Sequence, residues 1–174
     1  MNIILIGYRA SGKSSMGKLM AQQLWKTYKD VDHETCKVFN NPSIADIWKE
    51  HGEPAWRREE VKVTQQLCKQ DDLVIALGGG TLMQPGAREA VENANAVRIY
   101  LKCKPEELYR RIQGDSQSSQ TRPSLTGKGG GLDEIIEVLK VREPVYEAVA
   151  DHVFDVTYTP VEDAVRYVIE RCLR

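Results

Sequence analysis

A glycine-rich turn in the stretch LIGYRASGKS, residues 5–14, constrains the fold of this chain more than any other feature. Gly7, Gly12, Lys13 and Ser14 satisfy the G-x-x-x-x-G-K-[ST] pattern of a phosphate-binding loop. Its flanks give the pattern meaning. Upstream, Ile3, Ile4, Leu5 and Ile6 form a β-branched-rich run short enough for a buried strand; downstream, Met16, Leu19, Met20, Gln23 and Leu24 recur at helical spacing. Between a strand and a helix, the backbone from Gly7 through Ala10, Ser11, Gly12, Lys13, Ser14 and Ser15 turns its N–H groups toward the positive end of the helix dipole. That arrangement cradles phosphate oxygens. Lys13 then reaches the β- and γ-phosphates, and the Ser14 hydroxyl takes a magnesium position. The competing reading is a glycine-rich turn that matches by accident, which the flanking strand and helix disfavour.

The rest of the chain alternates strands and helices. Residues 2–6 read as strand and 13–25 as helix; a short strand ends near Asp30; 33–39 and 43–51 read as helices, with Ser43 and Asp46 as a capping box. A helix from about Pro54 to Lys69 precedes the apolar strand Leu73–Leu77, which ends at Gly78, Gly79 and Gly80. Helix 85–93, strand 96–101 and helix 105–113 follow. After a break at 114–131 come a long helix, Leu132–Ala150, and a last strand, Val153–Val156. Thr159-Pro160-Val161-Glu162 then suggests a closing helix with a capping box and a proline at its first position. Such alternation predicts a parallel sheet with helices on both faces, and ligands in that architecture bind at the carboxyl ends of the strands.

With 174 residues the chain reads as a single domain able to bury roughly 70 % of its unfolded surface. Its 24 basic and 25 acidic side chains nearly cancel, so no overall pull toward nucleic acid or an anionic membrane is expected. No apolar stretch approaches the ~20 residues of a membrane span. Met1 runs directly into the first strand, so the expected compartment is the cytoplasm. Cys36, Cys68, Cys103 and Cys172 are widely spaced and lack metal-site patterns, and read as reduced thiols.

Three further strand ends bear on the site: KDVDHE, ALGGGT and YLKCKP. The strand LVIAL ends in glycines, with Asp71 and Asp72 at its wrong, amino end, and AVRIYL ends in Lys102. The acidic role of a phosphate-loop enzyme therefore falls to Asp30 and Asp32. In an extended segment two carboxylates two residues apart point the same way, so the pair is expected to face one cavity, one serving a metal and the other a hydroxyl. The triple glycine at 78–80 is expected to let backbone N–H groups approach a ligand, a flexible turn being the alternative. Arg57, with Glu60 three residues on to orient it, and Arg142 have the fork geometry suited to a carboxylate, although most arginines decorate surfaces. Residues 114–131, polar and glycine-rich around Arg122-Pro123, read either as a lid that brings an arginine onto a transferring phosphate or as an inert linker.

Taken together, GYRASGKSSMG, YKDVD, SIADIWKEHGEPAWRREE, ALGGGT, TRPSLTGK and REPVYEAVA resemble the shikimate kinase family in order and spacing, over nearly the whole chain. The resemblance implies a P-loop kinase of three α/β/α layers, with a five-stranded parallel sheet in the order 2-3-1-4-5, a substrate-binding region at 33–60 and a mobile lid at 114–131. It implies transfer of the γ-phosphoryl group of ATP to the 3-hydroxyl of shikimate, with Mg2+, in a monomer. By the same resemblance Asp30 holds magnesium through water and Ser14 directly. Asp32 binds shikimate hydroxyls and helps accept the proton. Arg57, Gly79 and Arg142 meet shikimate beside Gly78 and Gly80; Arg122, with Lys13, serves the transferred phosphate; and Arg111, or its neighbour Arg110, stacks near adenine. Trp56 stands where the family usually has Phe, and Ser124 where it usually has leucine. His33 follows Asp32 but is expected to point away from it, and His51 and His152 have no partner pattern. Two alternatives remain open: a nucleotide-dependent switch, despite the absence of an N-K-x-D stretch, and a related kinase acting on gluconate or a nucleoside monophosphate.

Overall fold

Ile3, Ile4, Leu5 and Ile6 leave no face of their strand suited to water, and a strand apolar on both sides is stable only inside a sheet covered by helices. A computed structural model, which describes residues 1–115, 123–126 and 131–173, places them there. The first strand, β1 (Asn2–Ile6), is buried along its whole length. It pairs in parallel with β3 (Leu73–Ala76) on one side and β4 (Ala96–Lys102) on the other. Leu5 lies opposite Ala76 in one neighbour and Ile99 in the other. Outside them, β2 (Thr27–Asp30) joins β3 and β5 (His152–Asp155) joins β4, both in parallel. The order is β2-β3-β1-β4-β5, the one implied by the family resemblance.

The connections are helical, as parallel strands require. They are α1 (Lys13–Leu24), α2 (Val31–Val38), α3 (Ile44–His51), α4 (Glu53–Cys68), α5 (Pro85–Asn93), α6 (Pro105–Gln113) and α7 (Leu132–Val149), and α8 (Val161–Cys172) follows the last strand. Packing divides them between two layers, with α1 against α8, and α4 against α5, α5 against α7 and α7 against α6. The main core lies at the sheet and includes Met16 and Met20 of α1, Leu67 of α4, Ile135 of α7 and Val168 of α8. A satellite core of Cys36, Ile47 and Trp56 holds α2, α3 and α4 together. Among the described residues no helix is long and apolar enough to cross a membrane, and the four cysteines are free thiols.

Two local expectations need correction. The closing helix has no Thr159 cap: α8 starts at Val161, Pro160 occupies the cap position, and no side chain caps it. The Thr159 hydroxyl instead donates back to the Asp155 carbonyl at 3.4 Å. Nor do Asp30 and Asp32 share an extended segment. Asp30 ends β2 and is itself the N-cap of α2, its Oδ1 accepting from the His33 N–H at 3.0 Å, so Asp32 already belongs to the first helical turn. The carboxylate of Asp30 has a stronger local demand than continued extension, namely the orphan N–H groups of the helix it precedes.

Helix α1 ends with Trp25 in a left-handed conformation (φ 56°), 95 % exposed. A Cβ is unfavourable there and the indole contributes no burial to offset it. Trp25→Gly is expected to stabilise the fold by about 0.5–1 kcal/mol, read as a higher urea midpoint at unchanged m-value.

Candidate active site

The carboxyl ends of the adjacent strands β1 and β3 deliver two loops side by side, the phosphate-binding turn and the triple glycine. In the first, Gly12 has φ 101°, a backbone that favours glycine, and begins α1. A Cβ at Gly7 would stand 2.7 Å from Ser11 Oγ and 3.0 Å from the Leu101 carbonyl, so the turn closes only without one. Lys13 Nζ donates to the carbonyls of Gly7 (2.7 Å) and Tyr8 (2.8 Å), so its charge lies over the loop. Ser14 Oγ donates to Asp30 Oδ2 at 3.5 Å, and the Tyr28 hydroxyl donates to the same oxygen at 3.2 Å. Burial, and then the negative charge of Asp30, push the Tyr28 phenol well above its ordinary pKa, so it remains a donor. Magnesium prefers few carboxylate oxygens and several waters, and the oxygen pair of Ser14 and Asp30 fits that demand.

Gly12, Lys13, Ser14 and Asp30 line one cavity together with Arg9, Ala10, Ser15 and Arg111. Arg111 is set into its wall. It donates to the carbonyls of Ala10 (3.3 Å), Val156 (3.0 Å) and Thr157 (3.3 Å), and is paired with Glu107. Arg110, 73 % exposed, bonds only to Glu107 among the described residues. Of the two neighbours, it is Arg111 that lines this cavity.

A second, smaller cavity gathers Asp32, Arg57, Glu60, Gly79, Gly80 and Arg142 from four separate elements. Trp48, Trp56 and Ile44 form its apolar side, and Pro123 and Leu125 close another. Arg57 Nη1 donates to Glu60 Oε1 at 2.8 Å, and its guanidinium lies over the Trp48 ring at 5.6 Å. Glu60, with no exposed surface, also accepts from Thr81 Oγ1 at 2.8 Å. Burial alone would lower the pKa of Arg57, but Glu60 and then Glu53 more than reverse it, so the cation is firmly held.

Each glycine of the triple makes room for one functional side chain. A Cβ at Gly78 would run into Asp32 Oδ1 and come within 2.9 Å of Thr81 Oγ1; at Gly79 it would lie 3.1 Å from Arg142 Nη1; at Gly80 it would lie 2.7 and 2.8 Å from the two Arg57 terminal nitrogens. None of the three has a left-handed φ. The requirement is space for the side chains that crowd the loop, in addition to the expected approach of a ligand. Tyr146, one turn beyond Arg142 on α7, donates its hydroxyl to the Gly79 carbonyl, and burial pushes that phenol up to about 12.

The two cavities meet, since Arg9, Asp32 and Gly79 line both. Comparison with known proteins gives this geometry its family. The family model described as "Shikimate kinase" matches residues 9–173. The chain belongs to the shikimate kinase family. A shikimate kinase of Rhodopirellula baltica is 32 % identical over 169 residues, covering 97 % of this chain and 89 % of that one. A shikimate kinase 2 of Photorhabdus laumondii is 35 % identical over 168 residues, covering 97 % and 93 %. Among solved structures, shikimate kinase from Acinetobacter baumannii in complex with shikimate superposes with a TM-score of 0.89 at 27 % identity, covering 99 % of this chain and 92 % of that one.

Of the residues that the sequence singled out, Asp32, Arg57, Gly79, Gly80 and Arg142 share the smaller cavity; Gly12, Lys13, Ser14, Ser15, Asp30 and Arg111 line the larger. Gly78 stands behind Asp32. Arg122 lies outside the described residues. Trp56 is buried in the satellite core and lines the smaller cavity, but the ring beneath the Arg57 guanidinium is Trp48. Tyr8, Arg9, Trp48 and Tyr146 were not visible as site residues from the sequence. Tyr146 carries a usable signal, its i+4 spacing from Arg142 on one helix.

Proposed function

We propose that the protein transfers the γ-phosphoryl group of ATP to the 3-hydroxyl of shikimate, giving shikimate 3-phosphate and ADP, a step of aromatic amino-acid biosynthesis. The observation that carries this reading is the meeting of the two cavities at Asp32 and Gly79, with the guanidinium groups of Arg57 and Arg142 both lining the acceptor space. The phosphate loop, from Gly7 to Ser15, holds the triphosphate through its N–H groups, and Lys13 swings from its loop carbonyls onto the β- and γ-phosphates. Ser14 and Asp30 would hold Mg2+, which, when bound, neutralises phosphate charge. Arg57 and Arg142 clamp the shikimate carboxylate, which turns the ring hydroxyls toward Asp32. Phosphoryl transfer has a loose transition state, so positioning counts for more than a strong base. Asp32 orients the 3-hydroxyl and accepts its proton as the bond to phosphorus forms.

We also read the chain as one catalytic unit, a cytoplasmic monomer in which 33–60 serve the acceptor and 114–131 form the lid that carries Arg122. Its near-zero net charge offers no overall attraction to nucleic acid or anionic lipid.

Truncation of the clamp tests the acceptor. Arg142→Ala is expected to raise KM for shikimate about 10- to 30-fold, the loss of a charged hydrogen-bond pair, with KM for ATP nearly unchanged. Equal changes for both substrates count against the clamp. ADP release measured with shikimate, gluconate, AMP and CMP separates the acceptor classes; turnover with shikimate alone is the expected result, and acceptor-independent hydrolysis overturns it.

A further inference from the structure

Beside the acceptor cavity lies a carboxylate that the chemistry above does not use. Glu134, in the first turn of α7, is 3 % exposed. Its Oε1 accepts from Ser124 Oγ at 2.8 Å, Leu125 N at 2.8 Å, Thr126 N at 2.7 Å and Thr126 Oγ1 at 3.0 Å. A carboxylate taken out of water stays charged only where donors replace its hydration shell. Burial pushes the Glu134 pKa up, and these hydrogen bonds, led by Ser124, bring it below the ordinary carboxylate range. Two successive backbone N–H groups converging on one oxygen form a small anion nest, and the first turn of a helix adds to the attraction.

The side chains on either side of Ser124 face elsewhere: Pro123 and Leu125 line the acceptor cavity, and Leu125 packs on the main core. We propose that Glu134 is a positioning residue for the acceptor: by gathering residues 124–126 around its carboxylate, it sets Pro123 and Leu125 as a wall of the cavity that contains Arg57 and Arg142. It acts through that segment and touches no substrate. The inference rests on the reading of this cavity as the shikimate site. It also gives a physical reason for Ser124, since a leucine there would have no hydroxyl to offer the buried carboxylate.

Trp48 and Trp56 line the same cavity, whereas Trp25 is almost fully exposed, so intrinsic fluorescence in a Trp25→Phe background follows shikimate binding without turnover. Glu134→Ala is expected to raise the shikimate Kd at least ~10-fold, while KM for ATP stays within about two-fold. Glu134→Gln, which keeps an acceptor oxygen, is expected to fall between the two. An unchanged Kd in folded Glu134→Ala overturns the proposal, as does an equal weakening toward both ligands, which marks general loosening. Should that variant not fold, Ser124→Ala with Thr126→Val decides in its place, since a Kd equal to the parent's overturns the proposal. If the parent binds no shikimate, the acceptor reading falls and this proposal with it; if the parent binds and the variants bind equally well, only this proposal falls.

Discussion

Asp32→Asn is expected to lower kcat by about 10^2- to 10^3-fold while shifting KM for shikimate only a few-fold. The amide has nearly the shape of the carboxylate, so the side chain still fits the space that Gly78 leaves for it. It loses the charge that orients the acceptor hydroxyl and the basicity that takes its proton, and proton transfer by a placed group contributes typically 10^2- to 10^4-fold. The lower part of that range applies because a loose transition state asks little of a base. Single-turnover kinetics at saturating ATP and shikimate separate this from slow product release. A kcat within about three-fold of the parent would remove Asp32 from the chemistry and leave it a binding role alone.

Gly78→Ala is expected to cost at least ~10^2-fold in kcat/KM for shikimate, with a smaller loss of stability, about 1–3 kcal/mol. The added methyl would collide with Asp32 Oδ1, stand 2.9 Å from Thr81 Oγ1 and lie 3.1 Å from Glu60 Oε2. Asp32 and Thr81 are short side chains, and Glu60 is bonded to Thr81 at 2.8 Å and to Arg57 at 2.8 Å. Moving them disturbs the support of Arg57 as well as the placement of Asp32, so one carbon reaches both ends of the acceptor site. Steady-state kinetics and urea unfolding on the same preparation distinguish the two effects. Activity close to the parent's at matched stability would mean that the loop shifts freely and that its glycines serve only as a turn.

Much of this was legible in the sequence for a simple reason: local signals mark the elements. The apolar runs of β1 and β3, the glycines that end them and the Lys13-Ser14 pair are each readable within a few residues, and the sheet order agrees with the family resemblance. Glu60 was legible too, because i+3 spacing on a helix places it beside Arg57. The acids were reached by the wrong geometry. Strand periodicity suggested a shared cavity for Asp30 and Asp32, and they do line one together, but across the start of α2. What stayed hidden depends on contact between separate elements. Tyr146 meets Gly79 across 67 residues, and Arg57 rests on Trp48, a ring of the preceding helix. Glu134 and Ser124 are ten residues apart, yet nothing in either marks the other as its partner.

The triple glycine leaves one consequence for sequence change within this fold. Its three residues hold ordinary backbone angles, and what each yields to is a neighbour's polar end group. The constraint therefore belongs to pairs and not to the loop. A descendant whose acceptor lacked a carboxylate, and which had given up the guanidinium at position 57, would be released at position 80 also. Substitution at the two positions should then travel together, most easily where the large partner shrinks before the small one grows.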